Sequence, residues 1–300
     1  MTNNKQRSGV VSSPLRGEKE RGLKYAEFKK IKVRYSDTGK GRVIVLLHGF
    51  LCSHEIWDGF IKKLSGKFRV IAIDLPGHGE TPCIGYYHSM ELLAQSAKAV
   101  LDKVGVRRYV IAGHSLGGYA ALAFAELFPE NVSGLCLFNS TSYADSDEKK
   151  KERERVIRLV KKEHKHYVAE VITSLFAPEN VEKLKKEISK VKRIAEKTSR
   201  QSIINSLEGM KERKSRDLIL KFAPYPVLFI IGKKDTIINY ETMYPQMGLC
   251  KYPSVLMLEN AAHMAFYEAP KETVNELQSF ALRCFRGVEQ QIEGAQNSIL

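Results

Sequence analysis

Apolar residues along this chain fall into short unbroken runs. They are Arg42–Leu47, Phe68–Ile73, Arg108–Ala112, Gly134–Phe138, Pro226–Ile231 and Ser254–Leu258. None alternates with polar positions, and unbroken apolar strands belong to a sheet buried on both faces. Two shorter strand-like pieces lie within Tyr25–Tyr35, closed by Asp37-Thr38-Gly39-Lys40-Gly41. Between the runs the apolar period lengthens to three or four. Met90–Val104 sets Leu92, Leu93, Ala97, Val100 and Leu101 on one face, Leu116–Phe128 is rich in alanine and leucine, and Glu272–Phe285 carries Val274, Leu277, Phe280, Ala281 and Cys284. Strands alternating with helices predict βαβ units, hence a mostly parallel, doubly wound α/β sheet.

The alternation stops between residues 143 and 222, where every pattern is helical. Val156, Leu159 or Val160, Tyr167, Val171 and Leu175 form one stripe; Val181, Leu184, Ile188, Val191 and Ala195 form another, with Ala177-Pro178-Glu179 between them. Such an insertion after the sixth strand predicts a cap over one end of the sheet. The expected organisation is a polar, disordered tail over 1–22, a first core part over 23–142, a helical cap over 143–222, a second core part over 223–288 and a polar tail over 289–300.

Composition adds limits. Hydrophobic residues make up 43% of the chain, which excludes a disordered protein, and no apolar run approaches the ~18 residues of a membrane span. The first forty residues hold no apolar stretch of an export signal. Five scattered cysteines without a CxxC pair predict neither a disulfide framework nor a cysteine metal site, so the expectation is a cytoplasmic protein. The net charge of +14 is uneven. Residues 1–42 hold 12 basic and 4 acidic side chains, and residues 143–222 hold 22 and 14. No nucleic-acid recognition motif accompanies this charge, so it is read as solvated helix faces with some attraction for anionic substrates, and no nucleic-acid partner is expected.

Gly113-His114-Ser115-Leu116-Gly117-Gly118 fits G-x-S-x-G directly after a strand and before a helix. That context turns the chain sharply and presents the Ser115 hydroxyl at the sheet's carboxyl edge. A serine hydroxyl needs a base, and the base needs an orienting carboxylate. Asp235 follows the strand Pro226–Ile231 and His263 follows Ser254–Leu258, so both stand past the same sheet edge as Ser115. Asp74 also ends a strand, but its Leu-Pro-Gly-His-Gly sequel reads as a structural turn. Asp145 and Asp147 read as caps of the first cap helix. His48, His78 and His114 sit in turn motifs; His164 and His166 lie on a lysine-rich helix without further metal ligands. The N–H groups of Phe50 and Leu116 are the expected oxyanion donors. Leu51, Trp57 and His114 are expected at the substrate pocket.

With His48-Gly49-Phe50 and Trp57, Asp74-Leu75-Pro76-Gly77-His78-Gly79, the serine hexapeptide, Gly232-Lys233-Lys234-Asp235 and His263 with Glu268-Ala269-Pro270, the chain resembles the α/β-hydrolase superfamily over roughly residues 25–285. It is most similar to the cap-bearing esterases, lactonases and C–C bond hydrolases. The resemblance implies no cofactor and no metal, and a small-molecule ester or related acyl substrate. Serine in place of aspartate argues against haloalkane dehalogenases and epoxide hydrolases. Leu116 stands where C–C hydrolases often carry methionine. Carboxylic ester cleavage through an acyl-enzyme is the leading expectation. A C–C hydrolase, a lyase resembling the synthase of menaquinone biosynthesis (acting on an anionic substrate) and a slow ligand receptor are the alternatives.

Overall fold

A computed structural model of the chain describes residues 24–297. The tail expected over 1–22 lies outside the described residues.

Eight strands form one sheet: β1 Lys24–Phe28, β2 Ile31–Thr38, β3 Val43–Leu47, β4 Arg69–Ile73, β5 Tyr109–His114, β6 Val132–Phe138, β7 Val227–Gly232 and β8 Pro253–Leu258. Their order is β1-β2-β4-β3-β5-β6-β7-β8. The β1–β2 and β2–β4 pairs are antiparallel and every other pair is parallel. Each residue of β3, β5, β6 and β7 is buried, as their unbroken apolar sequences require of strands covered on both faces.

The helices are α1 Asp58–Leu64, α2 Met90–Lys103, α3 Leu116–Leu127, α4 Asp147–Ser174, α5 Pro178–Val181, α6 Lys185–Ala195, α7 Arg200–Lys211, α8 Asp217–Lys221, α9 Met243–Leu249, α10 Ala265–Glu268 and α11 Pro270–Asn297. One layer holds α2 and α3, with α3 over β3, β5 and β6. Another holds α1 and α11, with α11 over β6, β7 and β8. The sheet core thus lies between two helical layers, the doubly wound α/β-hydrolase arrangement that the sequence predicts. Instead of giving way to a tail at 289, the last helix runs on to Asn297.

Five helices stand between β6 and β7. Of these α4 packs on α6 and α7, while α8 packs against α3 and α9. The cap above the sheet edge is therefore built from α4 to α7. Helix α4 is not continuous: Glu163 has φ −138° and ψ 56°, which splits it into two rods. Its cap residue is Ser146, whose hydroxyl accepts the Lys149 N–H at 3.3 Å. Asp145 does not cap it, contrary to expectation. That carboxylate is buried and ion-paired with Arg153 and Arg213.

Candidate active site

In a wound parallel sheet the strands' carboxyl ends and the loops beyond them form the natural crevice for ligands. Five such ends converge here. His48, Gly49 and Phe50 follow β3, Ser115 follows β5, Asn139 follows β6, Asp235 lies past β7 and His263 past β8.

Ser115 has φ 50° and ψ −115°, a conformation that costs a non-glycine residue of order 1–3 kcal/mol. The turn is held from several sides. The Ser115 N–H donates to the Phe138 carbonyl at 3.0 Å, and the Ser115 carbonyl accepts from the Ser140 hydroxyl at 2.8 Å and the Gly118 N–H at 2.9 Å. The glycines are needed for close approach. A Cβ on Gly117 would stand 2.4 Å from the Leu47 carbonyl oxygen, and one on Gly113 2.2 Å from that of Gly117.

Asp235 is almost fully buried and all its acceptor capacity is used. Oδ1 accepts the N–H groups of Ile237 and Ile238 at 2.8 and 3.0 Å; Oδ2 accepts His263 Nδ1–H at 2.8 Å and Asn139 Nδ2 at 2.9 Å. Burial alone would raise this carboxyl, but His263 and the hydrogen bonds outweigh it, and its pKa lies below the ordinary carboxylate value. An ionised Asp235 fixes the His263 tautomer with its proton on Nδ1 and leaves Nε2 as an acceptor. Ser115 and His263 line the same cavity. Among the described residues no hydrogen bond joins the two side chains. The N–H groups of Phe50 and Leu116 donate to no turn or loop carbonyl.

The cavity measures about 270 Å³. Its floor includes Phe50, Leu51, His114, Ser115 and His263; its cap walls include Val156, Val171, Leu175, Leu207 and Met210. Of the expected pocket residues, Leu51 and His114 line it and Trp57 does not. Trp57 is fully buried, with ring centroids 5.3 Å from Phe60, 5.9 Å from Phe138 and 5.1 Å from Phe266. It belongs to the core because the short 3-10 turn His54–Trp57 aims it inward. His114 donates from Nε2 to the His263 carbonyl at 2.9 Å, so it also supports the histidine loop. Burial lowers its pKa to about 3 and keeps it neutral. His48 accepts the Leu75 N–H at 2.9 Å and Asp74 accepts the N–H of His54 at 2.7 Å. Both hold turns, as their motifs suggest.

Three residues went unassigned in the sequence. Asn139 bridges Asp235 and the Ala262 carbonyl, with distances of 2.9 and 3.1 Å. Arg153 and Lys149 bring charge into the cavity. The lysines at 161, 162 and 165 are exposed and do not line it. The cap is also fastened to the site. The His263 N–H donates to the Leu175 carbonyl at 3.0 Å, and Glu268 accepts the N–H groups of Ala177 and Ala262 at 2.8 Å each.

Comparison with known proteins agrees with the fold. A family described as alpha/beta hydrolase fold matches residues 42–270. A dihydrolipoyllysine-residue acetyltransferase component of an acetoin cleaving system from Pseudomonas putida is 28% identical over 80% of this chain and 63% of its own length. A 2-hydroxy-6-oxononadienedioate/2-hydroxy-6-oxononatrienedioate hydrolase from Paraburkholderia phymatum is 38% identical over 36% of this chain and 40% of its own. The matched region thus spans less than two thirds of these relatives. A thermophilic esterase from Thermogutta terrifontis, solved with malate bound, superposes with a TM-score of 0.82 at 26% identity, covering 88% of this chain and 99% of that one. The match over most of the chain, on a fold that sets these loops at one sheet edge, makes it a member of the alpha/beta hydrolase family.

Proposed function

We propose that this hydrolase cleaves a carboxylic ester through an acyl-enzyme formed on Ser115. The observation that carries the reading is the buried Asp235–His263 pair, whose imidazole shares a cavity with a serine held at φ 50°. His263 Nε2 takes the Ser115 proton as Oγ bonds to the carbonyl carbon. The oxyanion then accepts from the Phe50 and Leu116 N–H groups. On collapse the alkoxide leaves with the proton from His263. Water next adds to the acyl carbon, His263 takes its proton, and Ser115 Oγ recovers that proton as the acid departs. Asp235 keeps the imidazole oriented and balances its charge in both steps. Thioesters and lactones fit the same route.

Ser115→Ala tests this directly. Turnover of a p-nitrophenyl ester ladder should fall by roughly four to six orders of magnitude. The melting temperature should stay near that of the wild type. A fluorophosphonate probe should label Ser115 and nothing else. Wild-type-like turnover in the variant would falsify the mechanism.

The basic side chains in the cavity favour a second reading, in which the same groups cleave a C–C bond of an anionic substrate. Product analysis separates the two: an acid and an alcohol from the first, an acid and a carbon-chain fragment from the second.

A further inference from the structure

Away from the Ser115 and His263 floor, the acidic and basic side chains that line the cavity lie at one place on its cap wall. There Lys149, Glu152 and Arg153 occupy a single turn of α4. Lys149 and Glu152 offset each other, with Nζ 3.5 Å from the carboxylate. Arg153 is different. Its Nε and Nη2 donate to Asp145, and Nη1 makes no hydrogen bond among the described residues. Asp145 is shared with a second guanidinium, Arg213, whose Nη1 stands 2.6 Å from Oδ1. Burial would raise the Asp145 carboxyl, but the two arginines hold it below its ordinary value, so it is ionised.

Arg213 has further partners and does not line the cavity. Its Nε donates to the Tyr143 carbonyl at 3.2 Å, its Nη1 donates to the Met210 carbonyl at 2.8 Å, and its plane lies 4.0 Å from the Tyr119 ring centroid. Two arginines therefore meet one carboxylate in a largely water-excluded place. One positive charge remains without a local counterion, and it borders the cavity at Arg153. Arginine does not shed its proton, so the imbalance is not relieved by neutralisation. An anion entering the cavity would relieve it, and the planar fork of Arg153 suits a carboxylate.

We propose that Arg153 selects substrates carrying a second, ionised carboxylate on the arm that occupies the cap cavity, so that the preferred ester is a monoester of a dicarboxylic acid or its counterpart with the carboxylate on the alcohol side. This rests on the ester-hydrolase reading for its kinetics, but the anion site can be tested without turnover.

The kinetic arm compares monomethyl esters of four- to eight-carbon dicarboxylic acids with methyl esters of monocarboxylic acids of equal length. A parallel arm compares acetate esters of ω-hydroxy acids with acetates of plain alcohols. In the wild type one arm should show a preference for the charged ester of about ten- to a hundredfold in kcat/KM, the range of hydrogen bonds to charged groups. In Arg153→Met that ratio should collapse toward one; Arg153→Lys should keep part of it. The ratio should stay constant between pH 7 and 9, because arginine does not titrate there. Asp145 keeps Arg213 as partner in both variants, so no buried charge is stranded, and melting temperatures report any loss of fold.

The binding arm titrates adipate and hexanoate into the full chain by calorimetry. Adipate should bind more tightly than hexanoate, and Arg153→Met should remove the difference. Equal kcat/KM for charged and neutral esters, or a ratio unchanged in Arg153→Met, overturns the proposal. If no ester is cut yet adipate binding depends on Arg153, the anion site stands and the ester reading falls. If esters are cut without preference and adipate binds no better than hexanoate, the ester reading stands and this one falls.

Discussion

Asn139 shows how much of the site rests on a side chain outside the reacting groups. It follows β6 with φ 45°, a left-handed conformation that asparagine tolerates better than most residues. From there its amide reaches both Asp235 and the Ala262 carbonyl beside His263. Asn139→Asp keeps the shape and the backbone but replaces a donor with a like charge. Two carboxylates that close cannot both stay ionised cheaply. The acid limb of kcat/KM should therefore move to higher pH, and stability should fall by about 1–3 kcal/mol; a pH–rate profile and a urea melt check both. An unchanged acid limb would show that Asn139 does not influence the ionisation of the pair. At this scale the sequence was readable where chemistry is local. Ser115 declares itself because strand, turn and helix are contiguous, and Asp235 and His263 follow from their places after strands. Asn139 carried no such mark: its partners are 96 and 123 residues away. Trp57 was misread for a related reason, since whether an aromatic after a loop faces cavity or core depends on the rings that meet it.

Helices α4 and α7 make the same point one level up. The stripe Val156, Leu159 or Val160, Tyr167, Val171 and Leu175 was visible from its period; Val160 and not Leu159 faces inward, as does most of the rest. Periodicity does not say which end of a helix rides above the serine. The break at Glu163 divides the helix into two rods, and the lysines at 161, 162 and 165 near the break point to solvent. The basic side chains that line the cavity sit a few turns earlier, at Lys149 and Arg153. Helix α7 holds a sharper case. Gly209 lies inside it, where glycine costs a helix about 1 kcal/mol relative to alanine. A Cβ there would stand 1.8 Å from the His88 carbonyl oxygen. The neighbouring backbone is bonded to the same helix, with the His88 N–H donating to the Asn205 carbonyl at 2.9 Å. Gly209→Ala should thus destabilise by about 1–3 kcal/mol despite its better propensity. A rise in melting temperature would mean that the loop before α2 yields freely.

At the scale of the whole molecule, four histidines are kept neutral in the interior. Burial is the main cause at each, lowering His48 and His88 to about 4 and His78 and His114 to about 3. The unfolded chain takes up protons at these positions from about pH 6.5 downward. The folded chain does so only as pH falls to the lowered values. Between those limits the unfolded state binds more protons, so stability is full above about pH 6.5 and is lost as pH falls. Each histidine adds a slope approaching 1.4 kcal/mol per pH unit. Asp145 and Asp235, held below their ordinary values, extend the loss into the carboxylate range. Melting temperature should therefore drop steadily from pH 6.5 to 4, before most carboxylates protonate. A flat profile down to pH 5 would mean that these histidines reach solvent. The mostly parallel, doubly wound sheet was legible across the chain because strands buried on both faces read as unbroken apolar runs, whereas the strand order was not read. The distribution of buried imidazoles was not, since sequence does not show which turns are sealed.

The hydrogen bond from the His263 N–H to the Leu175 carbonyl bears on how such proteins can be rebuilt. It makes the end of α4 part of the mounting of the imidazole. A cap exchanged whole for that of another protein would take this carbonyl with it and let the histidine loop settle elsewhere, so the chimera would lose turnover before it gained a new preference. The exchangeable portion is narrower: the first rod of α4, residues 147–162, can be rewritten from its cavity-facing side chains, while the junction from Ile172 to Ala177 is kept as part of the engine beneath it.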